Sequence, residues 1–242
     1  AAPVAPQPVA PGVASAMPKA TTIPRGQMLG QMQDWKLTVD KVIEHAHQNH
    51  GNREIVTRSV EGPIVRSTYS DLYYRARKCS NALLADGVQK GDRVATLAWN
   101  TARHIETWYG TMCIGAVLHT LNPRLFPEQI AWIINHAEDT HVFYDITFQP
   151  IVEAIKDKVP SVKHWIVLTD AAHKPQSSIA NLRTYEEYIA PHSTDVVWGD
   201  FPEDTACGLC YTSGTTGNPK GVLYSHRSNI MHTLIGMQKD AI

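Results

Sequence analysis

The stretch LCYTSGTTGNPKGV, residues 209–222, places hydroxyls at Thr212, Ser213, Thr215 and Thr216 around two glycines, Gly214 and Gly217. Asn218, Pro219 and Lys220 follow. Glycines let a backbone curl and approach a ligand closely, and successive N–H groups in such a turn make an anion-binding concavity. The hydroxyls add donors, Lys220 adds a mobile point charge suited to phosphate, and Pro219 stiffens the segment before it. Polyphosphate is the ligand that uses all of these at once. A solvent-exposed Gly/Thr/Ser turn is the plainer alternative. It leaves unexplained the apolar run ACGLCY (Ala206 to Tyr211), which reads as a strand leading straight into the loop.

Two better-known phosphate motifs are excluded. No Gly-Lys dipeptide occurs, so the loop of P-loop NTPases is absent, and no Gly-x-Gly occurs, so a dinucleotide fingerprint is absent too. Other residue groups read as structural. CGLC (Cys207 to Cys210) has the spacing of a redox or zinc pair, but residues three apart on a strand point to opposite faces and no second such pair exists. In HAHQNH only His47 and His50 share a helical face, and a solvated helix end is expected there rather than a metal site. His104, His119 and His136 read as structural.

The elements that must carry the loop alternate between two periods. Val39, Val42, Ile43 and Ala46 recur at helical spacing, with Thr38 as N-cap and Gly51 as stop. Leu72, Ala76, Cys79 and Leu83 form the stripe of a helix that Gly87 ends, and Ile105, Trp108, Tyr109 and Met112 form the next. Pro127 suits a first helical turn, with Ile130, Ile133, Ile134 and Ala137 following; Phe148 to Lys158 is a further helix. RVATLA (93–98), VLHTL (117–121), HVFYD (141–145) and HWIVLTD (164–170) are short apolar strands between them. Such alternation predicts a layered α/β fold with a mostly parallel sheet flanked by helices, with ligands beyond the carboxyl ends of its strands.

Composition bounds the rest. The 242 residues are 43% hydrophobic, enough for a core, and the net charge of −1 argues against a nucleic-acid partner. No apolar run approaches bilayer length, so no transmembrane segment is expected, and four cysteines suit a reducing, cytoplasmic setting. Residues 1–33 are Ala/Pro-rich without a period and read as an extended tail or a targeting segment; organellar targeting stays open at this point. Residues 34–242 carry the fold.

YTSGTTGNPKGV resembles the signature of the adenylate-forming (AMP-binding) superfamily. GVQKGDRVATLAWN, CIGAVLHTLNPRLFPEQIAWIINHAEDTHVFYD and GVLYSHRSNI are similar to its fatty-acyl-CoA synthetase branch, with HTLNPRLFPEQI nearest to medium-chain and 3-methylmercaptopropionate ligases. The resemblance runs from Met28 to Ile242 and covers the first part of the family's large N-terminal domain. It implies a two-step reaction. A carboxylate attacks the α-phosphorus of Mg-ATP and releases pyrophosphate; the thiol of coenzyme A then attacks the acyl-adenylate and AMP leaves. Residues Thr212, Ser213, Gly214, Thr215, Thr216, Gly217, Asn218, Pro219 and Lys220 would wrap the phosphates. Thr212 would lie by the Mg2+ ion, and Thr212 and Lys220 would be the catalytic contacts, Lys220 on the β- or γ-phosphate.

The resemblance also places the ribose motif, the hinge and the small C-terminal domain with its catalytic lysine beyond Ile242, so catalysis is expected of the parent protein and not of this stretch alone. His226 has a counterpart in the family, either packing the loop's exit or lining the acyl side. Pairing into a homodimer is a family habit without an interface legible here. Alternatives are an adenylating ligase for an aromatic or amino acid, or a non-catalytic nucleotide-binding module. An uncovered apolar sheet edge is expected on a stretch of this length.

Overall fold

A computed structural model describes residues 32, 35–212 and 218–238. The described residues from Lys36 onward form one compact unit. Its elements run α1 (Asp40–His50), the hairpin β1 (Glu54–Arg58) and β2 (Ile64–Thr68), α2 (Tyr69–Ala85), β3 (Arg93–Leu97) and α3 (Ala102–Met112). They continue with β4 (Val117–Thr120), α4 (Pro127–Ala137), β5 (His141–Tyr144), α5 (Gln149–Ile155) and β6 (His164–Val167). The last are β7 (Arg183–Thr184), α6 (Tyr185–Ile189), β8 (Ala206–Tyr211), β9 (Gly221–Ser225) and α7 (His226–Gly236).

β1 and β2 form a small antiparallel sheet, and the other seven strands form one sheet in the order β7-β6-β5-β3-β4-β8-β9. Its ladders are parallel except β8–β9. Parallel neighbours need a crossover, and α3, α4 and α5 supply the connections between β3, β4, β5 and β6. Successive strand residues face opposite ways, so each central strand feeds two cores. Val94, Phe143 and Ile166 pack with Leu72, Ala76, Cys79 and Leu83 of α2. Ala95, Val142, Tyr144, Trp165 and Val167 pack with Ile130, Ile133 and Ile134 of α4 and Val152 and Ile155 of α5. Double-sided burial is why these strands read as continuous apolar runs.

Most helices lie where their stripes predict. α2 is opened by a capping box between Thr68 and Asp71, and Gly87, at φ 89°, takes a left-handed turn that a side chain would strain. Two expectations are corrected. The N-cap of α1 is Val39, not Thr38; the wholly buried Thr38 contributes its carbonyl to the Lys41 amide. In α3 the predicted stripe is turned the wrong way. Ile105 and Trp108 are each 38% exposed, while His104, Glu106, Thr107, Gly110 and Thr111 are buried along with Met112.

The cause is the closeness of α2. A Cβ on Gly110 would stand 2.8 Å from Cys79 Cβ, so only a face of small residues fits there. Two of its polar groups are met locally: the Gly110 carbonyl accepts from Ser80 Oγ at 2.7 Å, and Thr107 Oγ1 donates to the Arg103 carbonyl at 2.9 Å. At the sheet's far edge β9 leaves Leu223 and Tyr224 exposed, the uncovered apolar edge that the sequence leads one to expect.

Candidate nucleotide-binding hairpin

β8 runs parallel to β4, pairing Leu118 with Gly208 and Thr120 with Cys210, so Tyr211 ends at the carboxyl edge of the sheet. β9 returns antiparallel with Tyr211 opposite Gly221. The next rung closes the base of the loop, where the Thr212 amide donates to the Lys220 carbonyl at 3.0 Å. Thr212 and Lys220 thus face each other across the mouth of the hairpin, both exposed, and Asn218 and Pro219 stand beside them. Ser213, Gly214, Thr215, Thr216 and Gly217 lie outside the described residues. Open α/β sheets bind ligands beyond the carboxyl ends of their strands, which is where this mouth opens.

The hairpin is fixed from beneath by aromatic and imidazole groups. The Tyr211 hydroxyl lies 2.6 Å from His136 Nδ1, and His136 stacks on Trp132 with ring centroids 4.8 Å apart. The Tyr211 ring also leans on His119, at 5.3 Å. His119 and Asp139 are fully buried and paired, Nδ1 to Oδ2 at 2.8 Å, which joins β4 to the turn before β5. Burial raises the Tyr211 phenol above its ordinary value, so it stays neutral beside His136. A side chain at Gly221 would press on Leu209 Cδ1 and Tyr211 Cζ, each 3.2 Å from the added carbon, so glycine lets β9 cross the Tyr211 ring.

The exit from β9 is held as firmly. Ser225 caps α7 by accepting from the Ser228 amide, and His226 is completely buried. Its Nδ1 accepts from the Val39 amide at 3.3 Å and its ring packs on Phe201 at 4.6 Å. Burial pushes the imidazole down to about 4, so it is neutral at pH 7. Of the two roles open for His226, packing at the exit is the one this environment gives it.

The remaining sequence candidates separate cleanly. Cys207 is buried and accepts from Asn229 Nδ2 at 3.0 Å, whereas Cys210 is exposed on the other face, so they are not a chelating pair. His45 and His50 are exposed, but His47 is not simply solvated: it stacks on Tyr73 at 4.2 Å and meets Ser70 Oγ at 3.0 Å. His104 is structural, accepting from Trp108 Nε1 and lying 2.9 Å from the Trp99 carbonyl.

A second polar feature had no sequence signal. Arg75 bonds Glu106 and Glu186, and Arg103 bonds Glu186 and Glu61, an ion network tying α2, α3 and α6 to the β1–β2 turn. It borders a cavity of 360 Å3 reached by Thr101, Asp145 and Leu168, which follow β3, β5 and β6. Asp145 accepts from the Trp99 amide at 2.6 Å, and burial lifts its carboxyl to about 6. The ion network alone draws on four separate segments, and only spacing within one segment is legible in a sequence.

Residues 43–241 match the AMP-binding enzyme family over most of the chain. The chain belongs to that family. Among AMP-binding relatives, a 3-methylmercaptopropionyl-CoA ligase of Ruegeria lacuscaerulensis is 45% identical over 215 residues, 89% of this chain and 40% of that protein. A medium-chain-fatty-acid–CoA ligase of Ectopseudomonas oleovorans is 43% identical, over 89% of this chain and 39% of its own length. The fold recurs in the solved structure of an anthranilate CoA ligase with anthranoyl-AMP, at TM-score 0.72 and 22% identity over 83% of this chain and 36% of that one. The chain therefore spans about 40% of the length of the curated relatives it matches.

Proposed function

We propose that this chain is the phosphate-holding part of an ATP-dependent acid–thiol ligase that activates a fatty or methylthio-alkanoic acid through an acyl-adenylate to its coenzyme A thioester. The observation that carries the reading is the hairpin mouth. Thr212 and Lys220 are locked opposite each other at the carboxyl edge of the sheet by one backbone hydrogen bond. The family and the names of the relatives support the same chemistry.

In the first step a carboxylate oxygen displaces pyrophosphate from the α-phosphorus. The difficulty lies in aligning a polyanion with an anionic nucleophile and stabilising the departing charge. Lys220, exposed and outside any ion pair among the described residues, supplies a positive charge to the β- or γ-phosphate. Ser213, Gly214, Thr215, Thr216, Gly217, Asn218 and Pro219 complete the cradle in this reading.

A Mg2+ ion fits this arrangement. It takes oxygen ligands, keeps several waters, and is held by few protein groups together with substrate phosphates. The exposed Thr212 hydroxyl offers one such oxygen at the mouth. When bound, the ion shares the charge of the phosphates. The protein side of the task is to keep Thr212 and Lys220 in register, which the Tyr211–His136 contact and the buried His226 accomplish from either strand. Coenzyme A is the second-step nucleophile, and the whole polypeptide works in the cytoplasm as a monomer or homodimer. ATP–pyrophosphate exchange by the full-length parent, across aliphatic, methylthio, aromatic and amino acids, tests the reading. Exchange stimulated by medium-chain or methylthio acids supports it, and exchange confined to aromatic or amino acids moves the substrate class.

A further inference from the structure

At the amino edge of the sheet, away from the hairpin mouth, three metal-ligating side chains converge. His141 opens β5 and His164 opens β6, and they are register partners with rings stacked 4.5 Å apart. Asp86, the C-cap of α2, reaches the same point. His141 Nε2 lies 3.5 Å and His164 Nδ1 3.6 Å from the same carboxylate oxygen, Asp86 Oδ2. The three ligand atoms all fall within 4.8 Å of one another.

These separations decide between two kinds of contact. N–H···O hydrogen bonds run about 2.7–3.2 Å, so neither distance is one. Ligands about 2.0–2.1 Å from a tetrahedral ion stand about 3.4 Å from each other, which is the spacing seen here. His141 supplies an independent sign. Its side chain is 3% exposed and its Nε2 has no hydrogen-bond partner, although it faces the carboxylate. The other ring nitrogen, Nδ1, is 2.9 Å from Thr140 Oγ1, and that hydroxyl points to the Arg93 carbonyl at 3.5 Å. In the tautomer that donates Nδ1–H to Thr140, the Nε2 lone pair is turned toward Asp86, and two acceptors face each other across a gap suited to a cation. Metal-binding histidines are oriented in the same manner, by a hydrogen bond from the nitrogen that does not ligate.

We propose that Asp86, His141 and His164 bind a divalent transition metal, zinc by ligand type, with water completing the tetrahedron. Arg183 is its competitor. The guanidinium Nη2 donates to Asp86 Oδ2 at 2.6 Å and to His164 Nδ1 at 3.0 Å while lying over the Tyr188 ring at 4.6 Å. About a third of its side chain is exposed, so it can leave toward solvent. The ion would staple the end of α2 to β5 and β6, a stabilising role independent of the nucleotide reaction.

The test uses tag-free full-length protein, stripped of metal by chelation, titrated with zinc chloride by calorimetry and with cobalt chloride by visible absorption. The expected result is one ion per chain, the strong visible bands of four-coordinate cobalt, and a raised Tm with zinc. His141→Gln and His164→Gln should each weaken binding about tenfold or more. His173→Gln, at an exposed cluster, should leave it unchanged, and Arg183→Gln should tighten it. Absence of the cobalt bands, binding unaltered by His164→Gln, or weaker binding in Arg183→Gln would overturn the proposal. His164 is partly exposed, so its glutamine variant keeps the test usable should the buried His141 variant not fold.

Discussion

The Tyr211 hydroxyl and His136 Nδ1 stand 2.6 Å apart, linking the last residue of β8 to the helix packed beside it one residue before the candidate phosphate loop begins. Loop and helix are 75 positions apart in the chain, and this contact transmits the position of α4 to Thr212. Tyr211→Phe keeps the ring against His119 and removes only the hydroxyl. A single hydrogen bond contributes about 1 kcal/mol, so kcat/KM for ATP should fall roughly fivefold while Tm changes little. His136→Phe should reproduce the loss, and the double variant should lose no more than either alone. Additive losses would show that the two side chains act separately.

Arg75 and Arg66 each bond a glutamate, yet their removal should differ. Glu106, the partner of Arg75, is 4% exposed, whereas Glu54, the partner of Arg66, is 49% exposed. Arg75→Met leaves a buried carboxylate without its cation and should destabilise by about 3–5 kcal/mol. Arg66→Met should stay within about 1 kcal/mol. Urea unfolding of both variants measures the contrast, and equal effects would refute it.

The α2–α3 contact should be intolerant of one added methyl. Gly110→Ala gains helix propensity, but the new carbon would stand 2.8 Å from Cys79 Cβ and 3.0 Å from the Ala76 carbonyl. Overpacking of this kind costs about 1–3 kcal/mol. The combination Gly110→Ala with Cys79→Ala removes only the sulfur and should recover part of that loss, read as Tm.

Stability should fall with acid in a defined window. Burial depresses His104 and His226 to about 4 from 6.5, so between those values the unfolded chain holds protons that the folded chain refuses. Stability is then present above about 6.5 and is lost as pH falls toward 4. Asp145 acts in the opposite sense. Its carboxyl is raised by burial to about 6 from 3.8, so the folded chain takes up this proton first and recovers some stability below pH 6. The two histidines together release close to two protons on folding and Asp145 offsets close to one, so the slope of ΔG against pH should be about one proton between pH 6 and 5 and smaller above 6.5 and near 4. His226→Gln should reduce it by about one proton per chain; an unchanged slope would contradict the assignment.

Much of this fold was legible because strands buried on both faces and helices with one apolar stripe leave distinct patterns. RVATLA, HVFYD and the Ile130/Ile133/Ile134 stripe lie where their periods place them. α3 misled because its buried side is polar and small, chosen for close approach to α2, while Ile105 and Trp108 remain half-exposed. The β1–β2 hairpin carried no clear alternation, since both strands stay largely outside the cores. At the site, the run from Thr212 to Lys220 was visible as a local motif. His136, His119, Asp139 and Asp145 gain their roles from partners distant in the chain, which spacing alone does not reveal.

The most direct measurement is acid-dependent ATP–pyrophosphate exchange by the full-length parent and its Lys220→Ala variant, with circular dichroism to confirm that both are folded. Loss of a hydrogen bond to a charged phosphate is worth about 1.5–3 kcal/mol, so exchange should fall roughly ten- to hundredfold while Tm stays within a degree or so of the parent's. Undiminished exchange in a folded Lys220→Ala variant, or no exchange with any acid in the parent, would contradict the account.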